Sequence, residues 1–462
     1  MPVDANLPQA PTPAAGPLPL YRLLHAVLFN SINMWSDEHF NEPVVVSRTL
    51  LGARIVVNDP AAIKWILSDN AANYGRDSLQ RRIVLRTTGR SLFSAEGADW
   101  RLQRKALAPF FAPKAIAAYL PAMQAAAQAC VDKLGTKIGA EIDLPEAMAA
   151  ATVDVLGRTL FPDCFHEAPD EIAKSVRDFV DVSGGVGVED LLGLPVWAQA
   201  FRQLRRWRAA RAVRLRARHV IAAAKRSVGA GGGSLIAALA SARDPDNGQM
   251  LGARVVEDNV SMLIGAGSDT VAVALTWSIF LLTQAPHVRE RVEQEADAIL
   301  SEGPLDAAAL DRLVLTRAVI EEAMRLYPPA PLIGRVALGP DTVAGARIEA
   351  GAVILIAPWV VHRHRRLWTD PEAFAPERFL PAQRECIDRH AYLPFGAGPR
   401  VCIGMSFAMQ ESVALLATLL RHLRFERADQ RPIALRQCVT LQPKGGLRMR
   451  VTRRGPLPAT SP

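Results

Sequence analysis

The chain has 462 residues, 50% of them hydrophobic, and a formal net charge of +8. That is enough apolar material to bury a large core and too much for a disordered or fibrous chain, and the basic balance favours acidic partners. The five cysteines, Cys130, Cys164, Cys386, Cys402 and Cys438, are odd in number and include no C-x-x-C pair, which argues against a disulfide framework or a zinc module and fits a reducing compartment.

The first 20 residues are rich in Pro and Ala and lack the basic start and long apolar core of a signal peptide, so they are expected to be a flexible lead-in. The apolar stretch that follows is broken by Arg22, His25 and Asn30, far short of the roughly 20 apolar residues of a spanning helix. No membrane span and a cytoplasmic location are the expectation. From Val44 to Val57 two β-branched runs flank Leu51 and Gly52 and predict an antiparallel hairpin. Asn58-Asp59-Pro60 then supplies a cap and a proline for a helix start.

From about Asp99 to Ile320 helical spacing dominates and β-branched runs are missing. Trp100 and Arg104 fall on one face of the first helix there. The run from Arg202 to Arg218 carries eight arginines around Leu204, Trp207 and Leu215. It predicts a solvated helix face, with contact to a membrane surface or an acidic partner as the alternative. The glycine-rich stretch from Gly229 to Ser234 is either a domain boundary or a long surface loop. Val255 to Leu282 is a long apolar helix interrupted by Ala266-Gly267-Ser268-Asp269-Thr270, residues that weaken a helix interior. These either form a packing notch with polar groups bonded back to the backbone, or a kink whose hydroxyl and carboxylate hold a water chain for proton transfer.

Glu322 and Arg325 stand one helical turn apart and can pair. Val336 to Ile356 alternates and is rich in turns, and Pro-rich loops follow to Pro399. The expected architecture is mainly α with small β-sheets, an α+β chain whose strands sit at the two ends. In Phe395-Gly396-Ala397-Gly398-Pro399-Arg400-Val401-Cys402-Ile403-Gly404 a cysteine stands at the mouth of a predicted helix, Met405 to Leu420. A helix N-terminus favours thiolate over thiol. Gly398 and Gly404 would permit positive φ and close approach to a flat ligand, and Phe395 could shield the sulfur from water.

This string satisfies F-x-x-G-x-R-x-C-x-G at every fixed position, which a chain of this length does by chance roughly once in ten thousand. On these residues the chain resembles the cytochrome P-450 family, as a soluble bacterial-type member, from about Leu51 to Gly446. The resemblance implies one domain over residues 21–462 with no fused reductase, folded as a triangular helical prism around a buried haem b. It makes Cys402 the iron ligand. Trp100, Arg104, Arg335 and Arg400 would serve the haem propionates, with Phe395, Gly398, Ala266 and Gly267 also against the cofactor. Ala266 and Gly267 would leave room for dioxygen, and Thr270 and Asp269 would relay protons. Glu322 and Arg325 with Arg378, in a segment similar to the family's P-E-R-F, would form a structural triad. His362-Arg363-His364 is not taken as a metal pair, because it precedes Trp368-Thr369-Asp370-Pro371 as in members that hold no metal there.

The implied reaction is monooxygenation of an apolar small molecule, a terpenoid, steroid, fatty acid or aromatic compound, with electrons from a ferredoxin and its reductase. The basic residues Arg101, Lys105, Arg363, Arg365, Arg366, Arg384 and Arg389 are the expected docking face. Met262, Ala266, Leu332, Ile333 and Leu441, with the loop near Leu79 to Leu92, would line the substrate pocket. No nucleic-acid partner is expected, and a monomer is. A peroxide-driven peroxygenase or haem isomerase on the same fold, a haem sensor without catalysis, and a helical protein without cofactor are the rival readings.

Overall fold

The computed structural model describes residues 10–49, 52–76, 88–162, 164–165, 167–183, 200–226, 234–243, 248, 250–437 and 439–454. The turn at Leu51, the glycine-rich stretch at 229–233, Cys438 and most of the loop from Leu79 fall outside them. Helices of ten residues or more are numbered α1 Leu20–Phe29, α2 Gly97–Leu107, α3 Pro113–Gly135, α4 Leu144–Thr159, α5 Pro169–Ser183, α6 Ala200–Arg226, α7 Ala253–Gln284, α8 Pro286–Leu300, α9 Val314–Leu326 and α10 Met405–His422. The expected helical middle and strand-bearing ends are therefore present.

The predicted hairpin forms: β1 (Val44–Thr49) pairs antiparallel with β2 (Gly52–Val57), Val44 opposite Val57. It is extended by β8 (Val353–Ile356), β5 (Ile333–Ala337) and β3 (Tyr74–Gly75) into a five-stranded sheet in the order β1-β2-β8-β5-β3. Alternation in β8, with Ile354 and Ile356 buried, places one face on an apolar cluster that includes Ile55, Ile63 and Ile66. The Asp59 side chain accepts the Ala62 N–H at 2.8 Å and Pro60 opens the helix behind it, as the sequence predicts. One short strand, β4 (Glu141–Asp143), interrupts the helical middle. Too short to show a periodicity, it pairs with β12 (Arg448–Arg453), which in turn pairs with β9 (Leu423–Arg427). A last hairpin, β10 (Leu435–Gln437) and β11 (Leu441–Pro443), lies against α7.

α7 is the spine. It packs along α4 and also touches α5, α6, α9 and α10. Trp277, Phe280 and Leu281 on it are wholly buried, each worth about 1.5–3 kcal/mol of apolar burial. By length and composition it could cross a membrane, but 78% of its most apolar stretch is buried inside the chain, which is how the central helix of a folded core behaves.

α7 runs without a break from Ala253 to Gln284, through Ala266–Thr270. Ser268 Oγ donates to the Ile264 carbonyl at 2.7 Å and Thr270 Oγ1 to the Ala266 carbonyl at 2.8 Å. These i−4 bonds satisfy the hydroxyls inside the helix without breaking it.

Candidate active site

Cys402 lies in the loop between a tight turn at Gly398–Arg400 and α10. Its backbone N–H donates to the Phe395 carbonyl at 3.0 Å, closing the loop on itself. The side chain is exposed to open space, yet burial by the protein on its other sides pushes the thiol up; the Gly404 N–H and the Arg104 charge pull the other way. A sulfur deep in the fold that still borders free volume fits a ligand approaching from one side. The helix terminus alone therefore does not favour the thiolate expected here; a bound metal cation would.

Two glycine expectations change. Gly398 has φ +71°, but the backbone it allows close is Leu67: a Cβ would sit 1.8 Å from the Leu67 carbonyl oxygen. Gly404 has φ −90° and needs no left-handed backbone. The second positive φ belongs to Gly396, at +71°, against the tip of Ile333.

The loop is held from behind by charge. Glu322 and Arg325, both 0% exposed, are joined through two bonds, Arg325 Nε to Oε2 at 2.6 Å and Nη2 to Oε1 at 2.8 Å. Arg325 also donates to the carbonyls of His362, Pro371 and Ala373, and Glu322 accepts the Ala375 N–H. Arg378 completes the triad at 3.6 Å from Glu322. Beside them His362, pushed down to about 3 by burial and by Arg325 and Arg363, is a neutral ring whose Nε2 accepts the Leu393 N–H at 2.8 Å. It anchors the start of the cysteine loop, a role with no sequence signal. His364 faces the Glu42 carbonyl instead; the two histidines form no metal pair.

Trp100 and Arg104 share a face of α2, with Arg104 5.8 Å and Arg400 4.4 Å from the Trp100 ring centre. Arg104 donates to the Val401 carbonyl, Arg400 to that of Ala95 and Arg335 to that of Gly334. Among the described residues none of the three has an ion pair within 4 Å. Burial, with Arg400 nearby, lowers Arg335 to about 10, and Arg400 is itself lowered by burial and Arg104, against Glu96. Half-buried guanidiniums that depress one another call for an anion, and two carboxylates of a propionate type fit that demand.

Along α7, Ala266 is exposed in the middle of a largely buried helix, and Gly265 and Thr270 are part-exposed. Small residues thus face free volume at this point. Gly267 is part-exposed as well, and a Cβ there would meet Leu156 of α4 at 3.2 Å, so it also serves helix packing. Asp269 is 5% exposed and its carboxylate accepts from Thr440 at 2.7 Å and Gln442 at 3.1 Å. Burial raises it to about 6, against those two bonds. Of the expected pocket residues, Leu332 and Ile333 are part-exposed, while Met262 and especially Leu441 are buried. Leu441 turns into the core, its carbonyl holding the Trp277 indole N–H at 2.9 Å, so it lines no cavity.

The expected docking face is also thinned. Arg363 is buried and stacked 3.6 Å from the Trp359 ring centre. Arg365, Arg366 and Arg384 pair with Asp37, Glu42 and Glu321. Arg365 and Arg366 are exposed all the same, as are Arg101, Lys105 and Arg389. On α6, Leu204, Trp207 and Leu215 are exposed, while Arg216 and Arg218 are tied to Glu167 and Glu257.

A lone cysteine in a glycine loop braced by a buried triad, arginines awaiting carboxylates and a small-residue helix face define a haem-thiolate protein. The description Cytochrome P450 matches residues 7–449, and the chain belongs to that family, with haem b as its cofactor. It is 34% identical over 339 residues to cyclooctat-9-en-7-ol 5-monooxygenase of Streptomyces melanosporofaciens, covering 73% of this chain and 72% of that protein. It is 38% identical over 225 residues to the pentalenene oxygenase of Streptomyces avermitilis, 48% and 49% of the two chains. It is 29% identical over 420 residues to LUTEIN DEFICIENT 5 of Arabidopsis thaliana, 87% and 70%. The crystal structure of the cytochrome P450DA heme domain superposes with a TM-score of 0.82 at 22% identity, covering 97% and 98%, which establishes the fold. The chain is a cytochrome P450 monooxygenase.

Proposed function

We propose that this enzyme hydroxylates or epoxidises an apolar small molecule of the terpenoid class, using dioxygen and electrons from a separate ferredoxin and ferredoxin reductase in the cytoplasm. Cys402 would hold the haem iron, and Trp100, Arg104, Arg335 and Arg400 would receive the propionates. Haem, when bound there, supplies dioxygen activation and oxygen transfer. The chain's own task is to shape an apolar space with Ala266, Leu332 and Ile333, to keep water from it, and to meter protons through Thr270 and Asp269. An acid lifted to about 6 can hold a proton near neutral pH and give it up again.

The observation that carries this reading is the exposed Ala266 inside a buried helix, one turn before Thr270. The names of the pentalenene and cyclooctat-9-en-7-ol oxygenases support the choice of terpenoids over steroids, fatty acids or aromatics. Haem difference spectra across a panel of all four classes test it: a low-spin to high-spin shift with terpenoids is expected, and a shift confined to another class refutes the choice. Thr270→Ala should keep haem and substrate binding while diverting electrons to hydrogen peroxide; unchanged coupling removes Thr270 from proton delivery. Reduction by ferredoxin should slow as salt screens Arg101, Lys105 and Arg389. A rate indifferent to ionic strength would count against an acidic donor.

A further inference from the structure

Asp269 does not stand free beside the pocket. We propose that Thr440 and Gln442, on the hairpin formed by β10 and β11, are positioning residues that clasp the Asp269 carboxylate and govern its proton uptake; this rests on the reading of Asp269 as a proton relay.

The clasp is a closed triangle. Thr440 Oγ1 donates to Asp269 Oδ2 at 2.7 Å, Gln442 Nε2 donates to Asp269 Oδ1 at 3.1 Å, and Gln442 Nε2 also donates to Thr440 Oγ1 at 3.1 Å. Both carboxylate oxygens thus receive a hairpin donor. An ionised Asp269 accepts everything the hairpin offers. Both donors bind the charged form more strongly than the neutral acid, so the arrangement favours the anion. Burial of Asp269 opposes it. The other charged groups around it are Arg177, which favours the anion, and Asp181, which disfavours it, both on α5. Each is already engaged, Arg177 with Glu146 of α4 at 3.1 Å and Asp181 with Arg436 of β10 at 3.2 Å. The uncharged donors are therefore the closest control on the proton.

The hairpin has other anchors. Trp277 of α7 donates to the Leu441 carbonyl, and the Asn30 side chain bonds the Leu435 carbonyl and the Gln437 N–H. Removing one hydroxyl should therefore change the acid without freeing the strand.

The test uses the ferric, haem-loaded protein. The carboxylic acid stretch of Asp269, assigned by its loss in Asp269→Asn, is titrated by infrared difference spectroscopy. Thr440→Val and Gln442→Met should each raise the midpoint by roughly one pH unit, Thr440→Ser should restore it, and Val439→Ala at the exposed hairpin tip should leave it in place. An unmoved midpoint in both Thr440→Val and Gln442→Met, or an equal shift in Val439→Ala, overturns the proposal. The titration needs no electron donor or turnover. A shifted midpoint whose variants keep the parent's pH dependence of product formed per electron would uphold the clasp and refute Asp269 as the relay.

Discussion

Replacing Glu322 by Gln should remove a large part of the stability of the fold. Arg325 is 0% exposed and would keep its three carbonyl acceptors while losing its only close counter-charge among the described residues. An uncompensated buried charge costs about 3–5 kcal/mol, against a typical total of about 5–15 kcal/mol. Arg325→Met should cost no less, because it orphans the carbonyls of His362, Pro371 and Ala373, each worth about 1–3 kcal/mol when buried and unpaired. The double variant Glu322→Gln/Arg325→Met separates the terms. It removes the fully buried charge together with its partner and leaves only the part-exposed Arg378 without Glu322, so a simple ion pair would be largely forgiven, but the three carbonyls stay orphaned. We expect it to remain at least about 3 kcal/mol below the parent. Urea unfolding followed by circular dichroism, with haem retention read from the same samples, measures all three variants. Recovery of the double variant to within about 1 kcal/mol of the parent would refute the view that the guanidinium is chiefly a splint for backbone carbonyls.

Gly398→Ala should abolish stable haem loading, since a methyl group cannot sit 1.8 Å from the Leu67 carbonyl oxygen at φ +71°. Gly396→Ala, at the same φ with only the Ile333 tip at 3.9 Å, should cost about 1–2 kcal/mol of backbone strain and keep haem, so equal haem content in the two would be the wrong result. Glu411 is fully buried, has no hydrogen-bond partner among the described residues and is pushed well above the carboxylate range by burial. Because the folded state holds this proton more tightly, its contribution favours folding below the unfolded pKa near 4.3 and is lost as pH rises through the folded value. Glu411→Gln should therefore flatten stability between pH 5 and about 8, and a parent-like slope in denaturation over that window would contradict it. Arg335→Gln should be neutral or stabilising in haem-free protein, by relieving Arg400, and destabilising in the loaded enzyme; paired melting curves that move the same way would exclude Arg335 as a propionate partner.

What could be read ahead of the structure was whatever a local pattern encodes. Asp59 and Pro60 cap a helix because capping is a three-residue matter, and the Glu322–Arg325 pair follows from one helical turn. The motif around Cys402 carried the haem assignment because loop, helix mouth and ligand are contiguous. Side-chain direction was not legible. Gly267 and Ala266 are neighbours in sequence but lie about 100° apart around the helix, so one packs on Leu156 while the other borders the pocket. Arg363 lies beside Arg365 and Arg366 in a run that suggests a common face, but a turn sends it under Trp359. His362, Leu67, Thr440 and Gln442 meet their partners across 31 to 331 residues of chain; no spacing rule reaches that far.

The five residues from Ala266 to Thr270 show why the helix can stay unbroken and still serve a reaction. Successive residues of a helix point about 100° apart, so one turn distributes these groups among several neighbours. Ala266 faces free volume, Gly267 admits Leu156, the Ser268 carbonyl accepts the Thr152 hydroxyl of α4 at 3.0 Å, Asp269 meets the C-terminal hairpin, and Thr270 returns beneath Ala266. The hydroxyl that would handle protons thus stands at the pocket, while the carboxylate lies one helical step away, shielded and gripped by another strand. The Thr270 hydroxyl donates to its own helix and the Asp269 carboxylate accepts from the hairpin, so no direct hydrogen bond joins the two. If Asp269 is the relay, as proposed, proton delivery depends on how tightly the hairpin holds it.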